Sequence, residues 1–200
     1  MTEAYKEPAA RYAPIRAFLR DMDEIVARGR RTSETALAVK ERLAALIAQC
    51  PELPEQVLGL SSIHYARHLL YRDPAVRYEV VVMAWGPGQH TPIHDHSGIW
   101  CVEGVIEGTI DVTRYDVKDL TGDSARVEPL EVIHAGLGQC GALIPPVEYH
   151  RITNATPRPA FTIHVYGGTM ATCRIFTERA DGRYAVSVRE LDYSSATAAL

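Results

Sequence analysis

Hydrophobic positions change their period along this chain. From Ile15 to Val26, the apolar residues Ile15, Phe18, Leu19, Met22, Ile25 and Val26 return at steps of three and four, which places them on one helix face. A second stretch carries Leu37, Val39, Leu43, Leu46 and Ile47, with Ser33 and Glu34 as start signals and Pro51 and Pro54 closing it. A short helix is expected over Ser61–Leu70, ahead of Asp73-Pro74. From Arg77 the chain turns β-branched and aromatic, beginning with the run Tyr78–Trp85 that Gly86-Pro87-Gly88 ends. Later strands are expected over Ile99–Ile106, Thr109–Tyr115, Ala142–Ile144, Tyr149–Thr153, Phe161–Tyr166, Cys173–Thr177 and Tyr184–Glu190. The closing Ser-Ser-Ala-Thr-Ala-Ala segment is expected to fray. One domain therefore spans residues 1–200: a helical part over 1–74, a mainly β part over 75–190 built as a double sheet or barrel, and a tail over 191–200.

Composition alters this picture little. At 46% hydrophobic residues and net charge −4, the chain suits a globular domain and gives no reason to expect a nucleic-acid partner. No apolar run approaches membrane-spanning length, and Met1 to Arg16 lacks an apolar signal core, so a cytoplasmic, unprocessed protein is expected. Cys50, Cys101, Cys140 and Cys173 are too scattered for a disulfide scaffold and form no CxxC pair. Oligomeric state is not readable.

The chemistry concentrates between Gly88 and Cys101. His94 and His96 are two apart, so on a strand both imidazoles leave the same face, and neutral imidazole suits iron, copper, nickel or zinc. Gly88, His94-x-His96 and Gly108 match the first cupin signature in spacing, with Cys101 where an acidic ligand is usual. Pro145-Pro-Val-Glu-Tyr-His150-Arg-Ile-Thr-Asn154 resembles the second signature, with His150 as its ligand and Val147 where Gly is usual. Three imidazoles without a carboxylate would leave a ferrous ion dicationic, which suits a substrate bringing its own anionic ligand, such as a thiolate. His90, four residues before His94, reads as a surface or supporting residue.

From about Ser61 to Phe176 the sequence resembles the cysteine dioxygenase family, the thiol dioxygenases of the cupin fold. The resemblance implies a mainly β, jelly-roll (double-stranded β-helix) barrel with an N-terminal helical segment. It implies Fe(2+) held by His94, His96 and His150, with a small thiol and O2 as substrates. Thr162-Ile-His164-Val-Tyr166 resembles the family's Ser-x-His-x-Tyr relay, which would orient the Tyr166 phenol by a chain of hydrogen bonds. Tyr65-Ala-Arg67 matches the segment whose Arg holds the substrate carboxylate, with Tyr65 closing the pocket. Arg67 offers a fork of donors suited to that carboxylate, whereas relatives acting on 3-mercaptopropionate have Gln there. Cys101 stands where animal enzymes form a thioether to the tyrosine and bacterial members commonly have Gly; its bland alternative is a small buried apolar residue. The implied reaction converts L-cysteine to cysteine sulfinic acid. The alternatives are 3-mercaptopropionate or mercaptosuccinate as substrate, or a non-catalytic metal-binding cupin.

Overall fold

A computed structural model describes residues 12–197. The readings made for Met1–Arg11 and for the last residues of the tail lie outside them. Helices α1 (Ala13–Ala27) and α2 (Thr32–Ile47) and a 3-10 turn (Glu55–Val57) precede twelve strands. These are β1 (Ala66–Arg72), β2 (Glu79–Trp85), β3 (Ile93–His94), β4 (Cys101–Glu107), β5 (Thr109–Thr121), β6 (Ser124–Gly136), β7 (Cys140–Leu143), β8 (His150–Thr153), β9 (Ala160–Tyr166), β10 (Thr172–Glu178), β11 (Tyr184–Glu190) and β12 (Ser195–Ala196). One sheet runs β12-β1-β2-β9-β4-β7, and the second closes on itself in the order β10-β11-β6-β5-β8-β3. This is the mainly β cupin arrangement, with helices added at the N-terminal side.

The helices explain why β2 and β9 are buried along their whole lengths. Ile15, Phe18, Met22, Val39, Leu43 and Leu46 pack in one cluster with Val80, Val82, Val102, Ile163 and Val165, which share one face of the first sheet. The alternate residues Val81, Met83, Trp85, Cys101, Val105 and Tyr166 face the barrel interior and pack with Ile110, Val112 and Ile152 of the second sheet. A strand covered on both faces reads as a continuous apolar run, as the sequence of β2 does. Each fully buried Val or Ile there contributes about 1.5–3 kcal/mol. α1 carries its predicted apolar face inward, whereas Leu37 of α2, expected on the core face, is 54% exposed. Gly108 closes the β4–β5 turn at φ +76°, where a Cβ would meet the Pro159 carbonyl at 2.8 Å, so both backbone and space require glycine.

Two expectations are corrected, and one strand is added. Ser61–Leu70 is not a helix: Ala66–Arg72 is strand β1, paired antiparallel with β2, so the sheet region opens before residue 75. The tail does not simply fray, because His68 and Leu69 of β1 pair in parallel with Ser195 and Ala196. Strand β6 was not anticipated. Its outward residues are largely exposed and Pro129 sits at a register shift, so it lacks apolar alternation.

Candidate active site

The three expected histidines converge. β3 and β8 meet at a single register, His94 opposite His150, and His96 follows two residues after His94. Ring centroids lie 4.6 Å apart for His94–His150, 4.9 Å for His96–His150 and 5.3 Å for His94–His96. One ligand atom from each lies within 4.8 Å of the others. His94 Nδ1 faces the Pro92 carbonyl at 3.1 Å, which leaves Nε2 for the cluster. His96 and His150 are almost fully buried, and His96 Nδ1 and both His150 nitrogens have no hydrogen-bond partner. Buried polar atoms normally find partners, so unpartnered nitrogens on His96 and His150, with one ligand atom of each converging on His94, fit a metal ion. Burial lowers His94 to about 4 and holds His96 and His150 well below the usual imidazole range, so all three are neutral, the metal-binding form.

Asp95 aims the loop between them. Its carboxylate is buried and accepts from Arg174 Nε at 2.5 Å and from the Arg174 backbone N–H at 2.8 Å. This ties the residue between the two histidines to β10.

Behind the histidines, β4 and β9 lay a polar row across the interior. Cys101 pairs with Tyr166, Glu103 with His164 and Val105 with Thr162. The Gly167 N–H donates to the Trp100 carbonyl at 2.9 Å, so the next pair, Cys101 and Tyr166, is a non-hydrogen-bonded one, where side chains approach closest. Trp85 Nε1–H donates to Thr162 Oγ1 at 2.9 Å, which frees that hydroxyl proton for His164 Nε2 at 2.8 Å. His164 Nδ1 then points to Glu103 Oε2 at 3.4 Å and Cys101 Sγ at 3.9 Å. The expected relay stops there. The His164 and Tyr166 rings stack at 6.0 Å and 16°, and among the described residues no hydrogen bond joins them. Residues two apart on a strand set their rings parallel, not end to end.

Glu103 was not anticipated, although its alternation with Cys101 on β4 would have placed it inside. It lies 3.8 Å from His150 Nδ1, and burial raises it to about 8. A carboxyl whose folded pKa exceeds its unfolded value stabilises below the unfolded pKa of about 4.5 and loses that contribution as pH rises towards 8. The metal-free Glu103→Gln variant should therefore gain on the parent between pH 5 and 8, by up to about 1.4 kcal/mol per pH unit. Thermal unfolding of both proteins across that range checks it; parallel curves would reject the assignment.

Arg67 comes from β1 into the same space. It is 6% exposed, yet forms no ion pair among the described residues. Its Nη1 donates to the Asp192 carbonyl and its Nη2 to the Met170 carbonyl, each at 3.3 Å, and it lies 5.0 Å over the Tyr193 ring. The chain around Tyr193 is tied down in turn: the Tyr193 hydroxyl donates to buried Glu79 at 2.5 Å. Tyr65 stacks on Trp85 at 5.0 Å. Tyr65, Arg67, His94, His150, His164 and Tyr166 all line one narrow cavity of about 20 Å³, which opens to a basin of about 470 Å³. Thr162 and Cys101 stand behind this wall, and His90 is exposed at the basin. Burial raises the Tyr166 phenol well above its ordinary value, against the opposing pull of Arg67.

The profile of the family described as "Cysteine dioxygenase type I" matches residues 33–179, most of the chain and every residue of this cavity up to Cys173. The chain belongs to the cysteine dioxygenase type I family. Among curated members, "Cysteine dioxygenase type 1" of Rattus norvegicus is 24% identical over 116 residues, covering 58% of this chain and 56% of its own. The Danio rerio protein of the same name is 26% identical over 116 residues, covering 58% and 57%. The match thus spans little more than half the length of these cysteine dioxygenase relatives. Among solved structures, the TT1209 protein of Thermus thermophilus aligns at 19% identity and TM-score 0.44 over 57% of this chain and 92% of its own.

Proposed function

We propose that the protein is an iron(II) thiol dioxygenase that converts L-cysteine, or a closely related small carboxylated thiol, and O2 into a sulfinic acid. One observation carries the reading: three neutral imidazoles converge, and two of them, His94 and His150, line one cavity with a buried guanidinium that has no counterion among the described residues. Iron held by His94, His96 and His150 would supply the binding and activation of sulfur and dioxygen. The chain's own groups do the rest. A buried cation is costly without a partner, and an incoming carboxylate gives Arg67 one through the N–H groups its two carbonyl contacts leave free. That contact fixes the thiol beside the histidines, which is the positional advantage the reaction needs. Tyr166, kept protonated by burial, offers a donor to the bound substrate. Trp85 and Thr162 hold the His164 ring, and Met83, Met170 and Leu191 exclude water. All four cysteines are free, in accord with a reducing compartment, and we place the protein in the cytoplasm.

The test is oxygen uptake with product analysis on iron-loaded protein, using L-cysteine, 3-mercaptopropionate and mercaptosuccinate. Stoichiometric sulfinate from at least one is expected; a zinc protein indifferent to all three would instead be a non-catalytic cupin.

The closeness of Cys101 to Tyr166 supports a thioether between Sγ and the phenol ring. Its formation removes one hydrogen from each residue, with O2 as the oxidant. Protein purified after turnover should then show an intact mass short by two hydrogens and a second, faster gel band. Both signs should vanish in Cys101→Ser. An unchanged mass after prolonged turnover would show that Cys101 is only a packing residue.

A further inference from the structure

The cavity holds a second guanidinium. Arg189 of β11 sits directly across from Cys173 of β10 and lines both the narrow cavity and the outer basin. Its side chain forms no hydrogen bond or ion pair among the described residues, and the residue is exposed. The acids nearest in sequence, Glu190 and Asp192, line only the basin, and among the described residues no Asp or Glu lines the narrow cavity. Arg67 and Arg189 both act on the Tyr65 phenol, opposing the rise that burial imposes, Arg189 the more strongly. Both cations line the narrow cavity and the basin together with Tyr65, Arg67 buried and Arg189 exposed.

A single carboxylate satisfies one guanidinium fork. Arg67 is positioned to take it, for the reasons given above. That leaves Arg189 as an unpaired charge on the narrow cavity, whose described lining carries no acid to oppose it, and a concave site concentrates such a field on entering anions. L-cysteine brings a single carboxylate, so on Arg67 it leaves Arg189 without a partner. We propose that Arg189 is a second anion-binding residue, so that the preferred substrate is a small thiol carrying two carboxylates, or a comparable dianion. This rests on the thiol dioxygenase reading and selects among its substrates.

Mercaptosuccinate and 3-mercaptopropionate test it, since they differ by one carboxylate on the thiol-bearing carbon. With iron-loaded full-length protein, kcat/KM for mercaptosuccinate should exceed that for 3-mercaptopropionate by about 10- to 100-fold, the worth of one charge-assisted contact. Arg189→Gln should bring that ratio close to unity, chiefly through KM, and Arg189→Lys should restore part of it. An unchanged ratio in Arg189→Gln, or a parent protein without the preference, would overturn the proposal. Binding of succinate against propionate to metal-free protein provides a readout independent of turnover. If no thiol is oxidised but succinate still binds more tightly in an Arg189-dependent way, the dioxygenase reading fails and the dianion site stands. If thiols are oxidised but succinate shows no advantage, the dianion site fails alone.

Discussion

Replacing His150 with alanine should strip the protein of iron and abolish oxygen uptake. The expected metal content, measured after reconstitution, falls from near one iron per chain to below about a tenth, because even partners of a metal ligand are worth about 10- to 100-fold in affinity. His150 is the histidine both of whose ring nitrogens lack partners, and it faces His94 across the only register that β3 and β8 share. Truncating so buried a ring also opens a cavity and lowers stability. His94→Gln serves as the second variant, since His94 is partly open and its replacement disturbs packing less. Both should lose iron while keeping native near-ultraviolet circular dichroism. Full iron retention in either would break the three-histidine assignment.

The second large effect is expected at Arg67. Arg67→Gln should lower kcat/KM for a carboxylated thiol by about 10²- to 10³-fold, the equivalent of two charge-assisted hydrogen bonds. Cysteamine, a thiol without a carboxylate, provides the control: its turnover should be poor in the parent and fall much less in the variant. Arg67→Lys should recover little, because a point charge does not reproduce a planar fork. An equal loss for cysteamine and L-cysteine would mean that Arg67 only anchors the Met170 and Asp192 carbonyls.

What the sequence disclosed about this site follows from what each residue needed. His94 and His96 were legible because two residues on a strand share a face whatever surrounds them, and His150 because its segment resembles a second signature at a usable distance. Arg67 was found on the right residue and the wrong element. Ala66–Leu70 is buried on both faces, with Arg67 and His68 polar yet covered, so no apolar alternation marked a strand. What defines β1 is its pairing with β2, the next strand, and with β12, far along the chain. Arg189 escaped notice for the same reason, as its meaning comes from the register that sets it opposite Cys173. Asp95 and Glu103 lay within the quoted motifs but needed Arg174, His150 and His164 as neighbours before their roles could be read. The relay failed at Tyr166 because the sequence gives strand parity, not ring orientation.

The two-sided covering of β2 and β9 has a consequence for how this protein can be altered. Successive residues on these strands answer to separate neighbourhoods, Val80, Val82, Ile163 and Val165 to the helices, Val81, Met83, Thr162 and Tyr166 to the chemistry. Substrate preference can therefore drift by exchange at every second position while the scaffold keeps its grip through the residues in between.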